Sequence, residues 1–194
     1  KAKMYENAYK KFTKAGYVAI GMDHFCRPDD EFFIALNNNQ LHRNFQGYCT
    51  TKTTGQVYGF GASSISQLFS AYSQNVKNAA QYIKKINEKN TAVLRGYKLD
   101  KNEKIIRDII NSIMCNYYVD FSEISEKFKT DIVSIKKIIN FSEESLRDFT
   151  DLNIMEIKND KITISHDARL FIRNIAMKFD PQLSKKIGTY SKTI

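Results

Sequence analysis

The sequence predicts an α+β chain in two parts: a first part of alternating helices and strands, and a mostly helical second part carrying one small β-hairpin. Three observations carry that expectation. Near the start, a helical pattern runs into a glycine and then into a short apolar run, the rhythm of a layered α/β unit. From residue 101 onward, apolar residues recur at helical spacing. Further on, two short apolar runs, 154–157 and 161–164, flank the polar turn Lys158-Asn159-Asp160, the pattern of a hairpin.

In chain order, Tyr5, Ala8, Tyr9 and Phe12 fall on one side of a helix over residues 4–15, and Gly16 stands where a helix ends. Residues 17–22 (YVAIGM) are a near-continuous apolar run, which predicts a strand buried on both faces. In barrels and layered sheets the loop leaving such a strand carries the chemistry. Here that loop is residues 23–30, dense in ionisable groups. Pro28 and the carboxylates after it start a short helix that ends in Asn37-Asn38-Asn39. Residues 41–48 (LHRNFQGY) follow neither strand nor helix periodicity and read as a functional loop, the plainer reading being a connector whose polar groups satisfy backbone. Residues 56–62 (QVYGFGA) predict the next strand, where Gly59 and Gly61 imply close approach to a ligand or another strand. Small residues at 62–64 leave room for a flat ligand against the backbone, with Ile65 as an apolar wall.

Residues 77–89 read as an exposed helix and 90–100 as a connector. Helices are then expected over 101–118, 121–129 and 132–151, the last interrupted near Phe141-Ser142, with Asp100 and Asp120 as N-caps. After the hairpin, a final helix covers 167–179 and Pro181 ends it. Three helices, a hairpin and a helix make a winged-helix-like arrangement. The division expected is therefore 1–75, a connecting segment 76–99, and 100–194.

The net charge of +9 favours anionic partners, and its plain alternative is a solubilising lysine-rich surface. No apolar run is long enough for a membrane span. Cys26, Cys49 and Cys115 form neither a disulfide framework nor a Cys-x-x-Cys pair, which points to a reducing, cytoplasmic setting. No nucleophile-elbow motif, P-loop or complete dinucleotide fingerprint is present, and the His, Asp and Cys spacings match no standard zinc pattern. His166, in Ser-His-Asp, fits a capping turn. A winged-helix-like half could meet nucleic acid, but Asp131, Glu143, Glu144, Asp148 and Asp151 in and around the recognition region would repel phosphates. That half reads as a packing module or lid, with no nucleic-acid partner expected.

Several stretches, taken together, resemble one family. They are 16–30 (GYVAIGMDHFCRPDD), 41–48 (LHRNFQGY), 59–66 (GFGASSIS), 105–108 (IIRD), 114–116 (MCN) and 170–180 (LFIRNIAMKFD). In order and spacing they resemble oxygen-independent coproporphyrinogen III oxidase, the radical S-adenosylmethionine dehydrogenase of anaerobic haem biosynthesis. The resemblance implies that a [4Fe-4S] cluster cleaves S-adenosylmethionine, that the radical formed takes hydrogen from a propionate, and that loss of carbon dioxide leaves a vinyl. Two rounds turn coproporphyrinogen III into protoporphyrinogen IX. It also implies that Phe45, Gln46 and Ile65 line the S-adenosylmethionine region. Chemistry and position add Arg43, Arg27, His24 and His42 as candidates for the acidic end of a substrate with four propionates.

One departure stands out. The family's Cys-x-x-x-Cys-x-x-Cys motif is absent, and the three cysteines are too dispersed to replace it. The chain is therefore expected to be a C-terminal piece of the enzyme: the last two strands and helices of the radical-SAM barrel, then the winged-helix-like domain. Alone it should be inactive, with the missing N-terminal part and an electron donor as partners, and an open sheet edge that would let it pair with a copy of itself. The alternatives are a winged-helix nucleic-acid-binding protein and a radical-SAM-like haem chaperone.

Overall fold

The structure, a computed structural model, describes residues 2–45, 47–52 and 55–183. The described residues form a mixture of helices and four small antiparallel sheets. Helix α1 (Ala2–Lys14) presents Tyr5, Tyr9 and Phe12, four or three residues apart, to its neighbours. Phe12 stacks on Phe25 with ring centroids 4.8 Å apart, and the Arg169 guanidinium lies 3.7 Å from the Tyr9 ring centre. Gly16 leaves the helix at φ +84°, the conformation a side chain would resist.

Strands β1 (Val18–Ile20) and β2 (His24–Cys26) form a hairpin turned at Gly21. This corrects the expectation of one strand over 17–22 followed by an open loop. Three residues of the supposed loop are themselves strand, because the turn Gly21-Met22-Asp23 reverses the chain at once. Asp30 then caps α2 (Glu31–Asn37), accepting from the Phe32 amide.

Residues 41–48 also depart from expectation. They belong to a hairpin of β3 (Leu41–Asn44) and β4 (Gly47–Thr50) with Phe45 at the tip. The period of two is hidden because the face turned inward mixes Leu41 and Tyr48 with polar neighbours. Residues 56–62 form no strand beyond a single bridge between Val57 and Gln67. The strands of this region come later: β5 (Ile65–Gln67), β6 (Ala71–Asn75) and β7 (Val93–Lys98), paired in that order. Gly59 accommodates another strand, since a Cβ there would stand 2.8 Å from the Ile65 carbonyl. Among the described residues every strand pair is antiparallel.

Helix α3 (Ala79–Lys89), capped by Asn78, separates β6 from β7. The connector expected over 90–100 is largely β7, all of whose residues are exposed, so no apolar alternation marks it.

Helix α4 (Lys101–Asn116) is the centre of the molecule. Asp100 and Glu103 close a reciprocal capping box at its start. Ile105, Ile109 and Ile113, spaced by four, are fully buried against the rest of the core. Strand β8 (Tyr118–Asp120) leads into α5 (Phe121–Phe128), capped by Asp120, and α6 (Ile132–Ile138), capped by Asp131. The helix expected over 132–151 breaks after Ile138, at Asn140 with φ +49°, and resumes as a 3-10 turn and α7 (Arg147–Asp151). Strands β9 (Met155–Lys158) and β10 (Lys161–Ile164) form the expected hairpin. Asn159 and Asp160 both lie at positive φ in its two-residue turn, and β8 adds to β10. The last helix starts late, as a 3-10 turn over His166–Leu170 followed by α8 (Ile172–Met177). Ser165 caps that turn, and His166 lies against Tyr117. One apolar cluster runs from Ile20, Leu36 and Leu41 through the isoleucines of α4 to Ile175 and Phe179.

Candidate functional site

A cleft of about 920 Å³ opens between the β3–β4 hairpin, the β5–β6–β7 sheet, α4 and α8. One wall is the hairpin, with Arg43, Asn44 and Phe45. The second is a sheet face. Gln67 pairs with Tyr72 and Tyr72 with Tyr97, so these three side chains project to one side, into the cleft. Helix α4 supplies Glu103, Arg107 and Asn111, a polar stripe at every fourth residue beside the buried isoleucine stripe. Arg173 and Met177 of α8 close the far side.

Phe45 is 57% exposed and meets the Tyr72 ring edge-on at 5.5 Å. The Arg43 guanidinium lies 5.5 Å from the Tyr48 ring centre. Arg107 donates to the carbonyls of Leu68 (3.1 Å) and Phe69 (2.6 Å), which fastens the β5–β6 turn to α4. Tyr97 donates to Glu103, and this hydrogen bond raises the pKa of its phenol. The cleft thus combines the guanidinium groups of Arg43, Arg107 and Arg173 with flat aromatic surfaces and the carboxylates of Glu103 and Asp180.

The other candidates lie elsewhere. Ile65 stands two residues before Gln67 and so on the same sheet face, one register step beyond the cleft wall. His24 contacts Asp23 at 2.7 Å and sets its ring edge-on to Tyr48, outside the cleft. Arg27 is exposed and pairs with Asp29 at 3.4 Å. His42 lies behind the hairpin, bonded to Asn111, and burial lowers its pKa. Gln46 lies outside the described residues. The geometry brings Arg43 and Phe45 together and leaves His24, Arg27 and His42 off the cleft wall.

No protein-family model matches the chain. Among curated proteins it is 37% identical over 180 residues to the oxygen-independent coproporphyrinogen III oxidase of Salmonella typhimurium (strain LT2), covering 90% of this chain and 37% of that protein. The enzyme of that name from Escherichia coli (strain K12) is 37% identical over 177 residues, with the same coverage. That from Thermostichus vulcanus is 35% identical over 193 residues, 97% of this chain and 58% of the relative. A solved structure, coproporphyrinogen III oxidase (HemN) from Escherichia coli, described as a radical SAM enzyme, superposes with a TM-score of 0.81. It is 35% identical and covers 91% of this chain and 40% of that one.

The chain is a homologue of oxygen-independent coproporphyrinogen III oxidase. It spans 37% of the length of the Salmonella typhimurium and Escherichia coli oxidases. The sequence points to the family and to the hairpin that forms one cleft wall, and gives no role to Arg107, Asn111 and Arg173, which line the same cleft. A signal for the first two was present: Glu103, Arg107 and Asn111 recur every four residues beside isoleucines that do the same, the mark of a helix with two occupied faces.

An oxidase described as a radical SAM enzyme implies an iron–sulfur cluster, and the cysteines here do not fit one. Cluster ligation needs several cysteine thiolates brought together. Cys26, Cys49 and Cys115 lie 23 and 66 positions apart along the chain. Among the described residues no three His, Cys, Asp or Glu side chains stand together to hold a metal. Of the residues that the resemblance assigns to S-adenosylmethionine, Phe45 offers an exposed ring and Ile65 an apolar side chain in β5.

Proposed function

We propose that this chain is the C-terminal piece of a coproporphyrinogen III dehydrogenase, and that its cleft receives part of the tetrapyrrole substrate. The observation carrying this reading is the placing of Arg43 and Phe45 on one wall of a cleft of about 920 Å³. That volume suits a large small-molecule ligand, the usual range being roughly 300–1,000 Å³. The whole enzyme would remove two propionate carboxyls as carbon dioxide, leaving vinyls. When bound, S-adenosylmethionine with the cluster supplies the radical that starts each round. Cluster ligands and an electron donor are assigned to the rest of the enzyme, in the cytoplasm.

In this reading Arg43 grips a propionate with two parallel N–H donors, a geometry that a lysine could not reproduce. The aromatic rings of Phe45, Tyr72 and Tyr97 exclude water beside it. Phe45, Gln46 and Ile65 form the apolar and carboxamide surface toward the co-substrate. Residues 1–75 supply the barrel end, completed by β7, which the expected connector 76–99 adds to the sheet of β5 and β6, and 100–194 form the winged-helix-like part, whose α4 packs in the common core. The paired strands β8, β10 and β9 behind helices α4 to α6 support that description.

The test uses the full-length protein, prepared anaerobically with coproporphyrinogen III, S-adenosylmethionine and a reductant. Two carbon dioxide molecules per protoporphyrinogen are expected. Arg43→Ala should raise the KM for substrate by about tenfold, the loss of one charged hydrogen-bonding pair. An unchanged KM would remove Arg43 from the site. Haem binding without decarboxylation would favour the chaperone reading, and salt-sensitive binding to DNA or RNA the nucleic-acid one.

A further inference from the structure

Among the described residues β3 pairs with a strand, β4, on one side, and its other edge turns the backbone groups of Leu41 and Arg43 toward α4. Two carboxamides of α4 meet that edge in place of a third strand. Asn116 accepts from the Leu41 amide and donates to the Leu41 carbonyl, both at 3.2 Å. Asn111 accepts through Oδ1 from the Arg43 amide at 3.1 Å and from the Cys115 thiol at 3.3 Å.

The second carboxamide has a consequence for its neighbour. A backbone N–H can only donate, so the Arg43 amide fixes which end of Asn111 is oxygen. The amino end is thereby turned toward His42, where it stands nearest Nδ1 and 3.4 Å from Nε2. An amino group can only donate, so the arrangement favours a lone pair on the nearer nitrogen, Nδ1, and the ring proton on Nε2. The Nε2 side of the ring lies against Gly55, where an added Cβ would stand 3.4 Å away. An imidazolium at His42 would set N–H against N–H.

We propose that Asn111 is a positioning residue: it holds the backbone from which Arg43 projects and keeps His42 as a neutral, Nε2-protonated buttress of the hairpin. Propionate recognition in the cleft is then the work of guanidinium groups, with His42 taking no part as a cation. This rests on the reading of the cleft as a tetrapyrrole site. Burial lowers the His42 pKa first of all. Of the charged groups around it on α4 and α5, Asp108 opposes that shift and Arg107 and Lys127 support it. Asp108 is itself paired with Lys127 at 2.8 Å. From β4, His42 faces Cys49, a thiol.

The experiment uses the full-length enzyme labelled with ¹⁵N-histidine, with His42→Gln to assign the resonance. Wild type should show unprotonated Nδ1 and protonated Nε2, with a midpoint below about 6.5, the ordinary histidine value. Asn111→Asp keeps the acceptor for the Arg43 amide but puts a carboxylate beside Nδ1. It should move the proton to Nδ1 and raise the midpoint by about one unit or more. Asn111→Leu should raise the KM for coproporphyrinogen by about tenfold, with kcat within about twofold and the folded state retained. A purely structural asparagine would lower the melting temperature and leave the tautomer and the split between KM and kcat unmoved. Protonated Nδ1 in wild type, or an unchanged KM in a folded Asn111→Leu enzyme, overturns the proposal. The tautomer is read without substrate, so an enzyme inactive on coproporphyrinogen sinks the functional reading and still tests Asn111.

Discussion

At the scale of single residues, Gly21 and Tyr48 show how tightly the hairpins are joined. Gly21 turns β1 into β2 at φ +56°, and a Cβ there would fall 1.6 Å from the Tyr48 hydroxyl. Its carbonyl accepts from the Tyr117 hydroxyl at 2.9 Å. Both backbone conformation and space therefore demand glycine. Gly21→Ala should destabilise the fold by about 2–4 kcal/mol, read as a lower urea midpoint. Burial pushes the Tyr48 phenol up to about 12, and its hydroxyl has no well-formed hydrogen bond among the described residues. Tyr48→Phe should therefore change stability by less than about 1 kcal/mol, and a larger loss would mean that the hydroxyl has a partner.

At the scale of elements, Asp120 joins β8 to α5 as both strand end and helix cap. Burial by itself would raise its pKa. Hydrogen bonds from Lys161, the Ser122 amide and Tyr118 overcome this and bring it down to about 2. A carboxyl depressed in the folded state stabilises above its unfolded value and loses that contribution as pH falls through the folded one. The window runs from about pH 4 down to about pH 2. Asp120→Asn should cost about 1–2 kcal/mol at neutral pH, with the gap to wild type closing through that window in urea titrations. Elements with local signals were legible in the sequence: the aspartate caps, the apolar period of α4, and the polar turn between β9 and β10. Strands β5, β6 and β7 were not, because β5 is three residues long, β6 is half-buried along its length and β7 is exposed, which leaves no apolar alternation to read. The β3–β4 hairpin stands out in the sequence by its composition but not as a pair of strands. Its edge is satisfied by side chains 68 and 75 positions away, which no local pattern records.

At the scale of the molecule, the helical half and the hairpins share one apolar cluster, with α4 serving both core and cleft. Strand β7 ends its sheet, and Val93, Leu94 and Tyr97 on it are about half exposed. An open edge with apolar side chains is a template for pairing. Residues 1–194 produced alone should therefore self-associate in sedimentation velocity, and Leu94→Lys should weaken this. A single species at all concentrations would show the edge to be protected already.

The stretch holding α3 leaves the β5–β6–β7 sheet at Val76 and returns at Ala92, two buried residues joined by a backbone hydrogen bond of 3.0 Å. Nothing in the helix itself is buried. The excursion is thus closed at its neck and carries little of the core's weight, so a small reporter domain could be spliced in there without unseating the sheet.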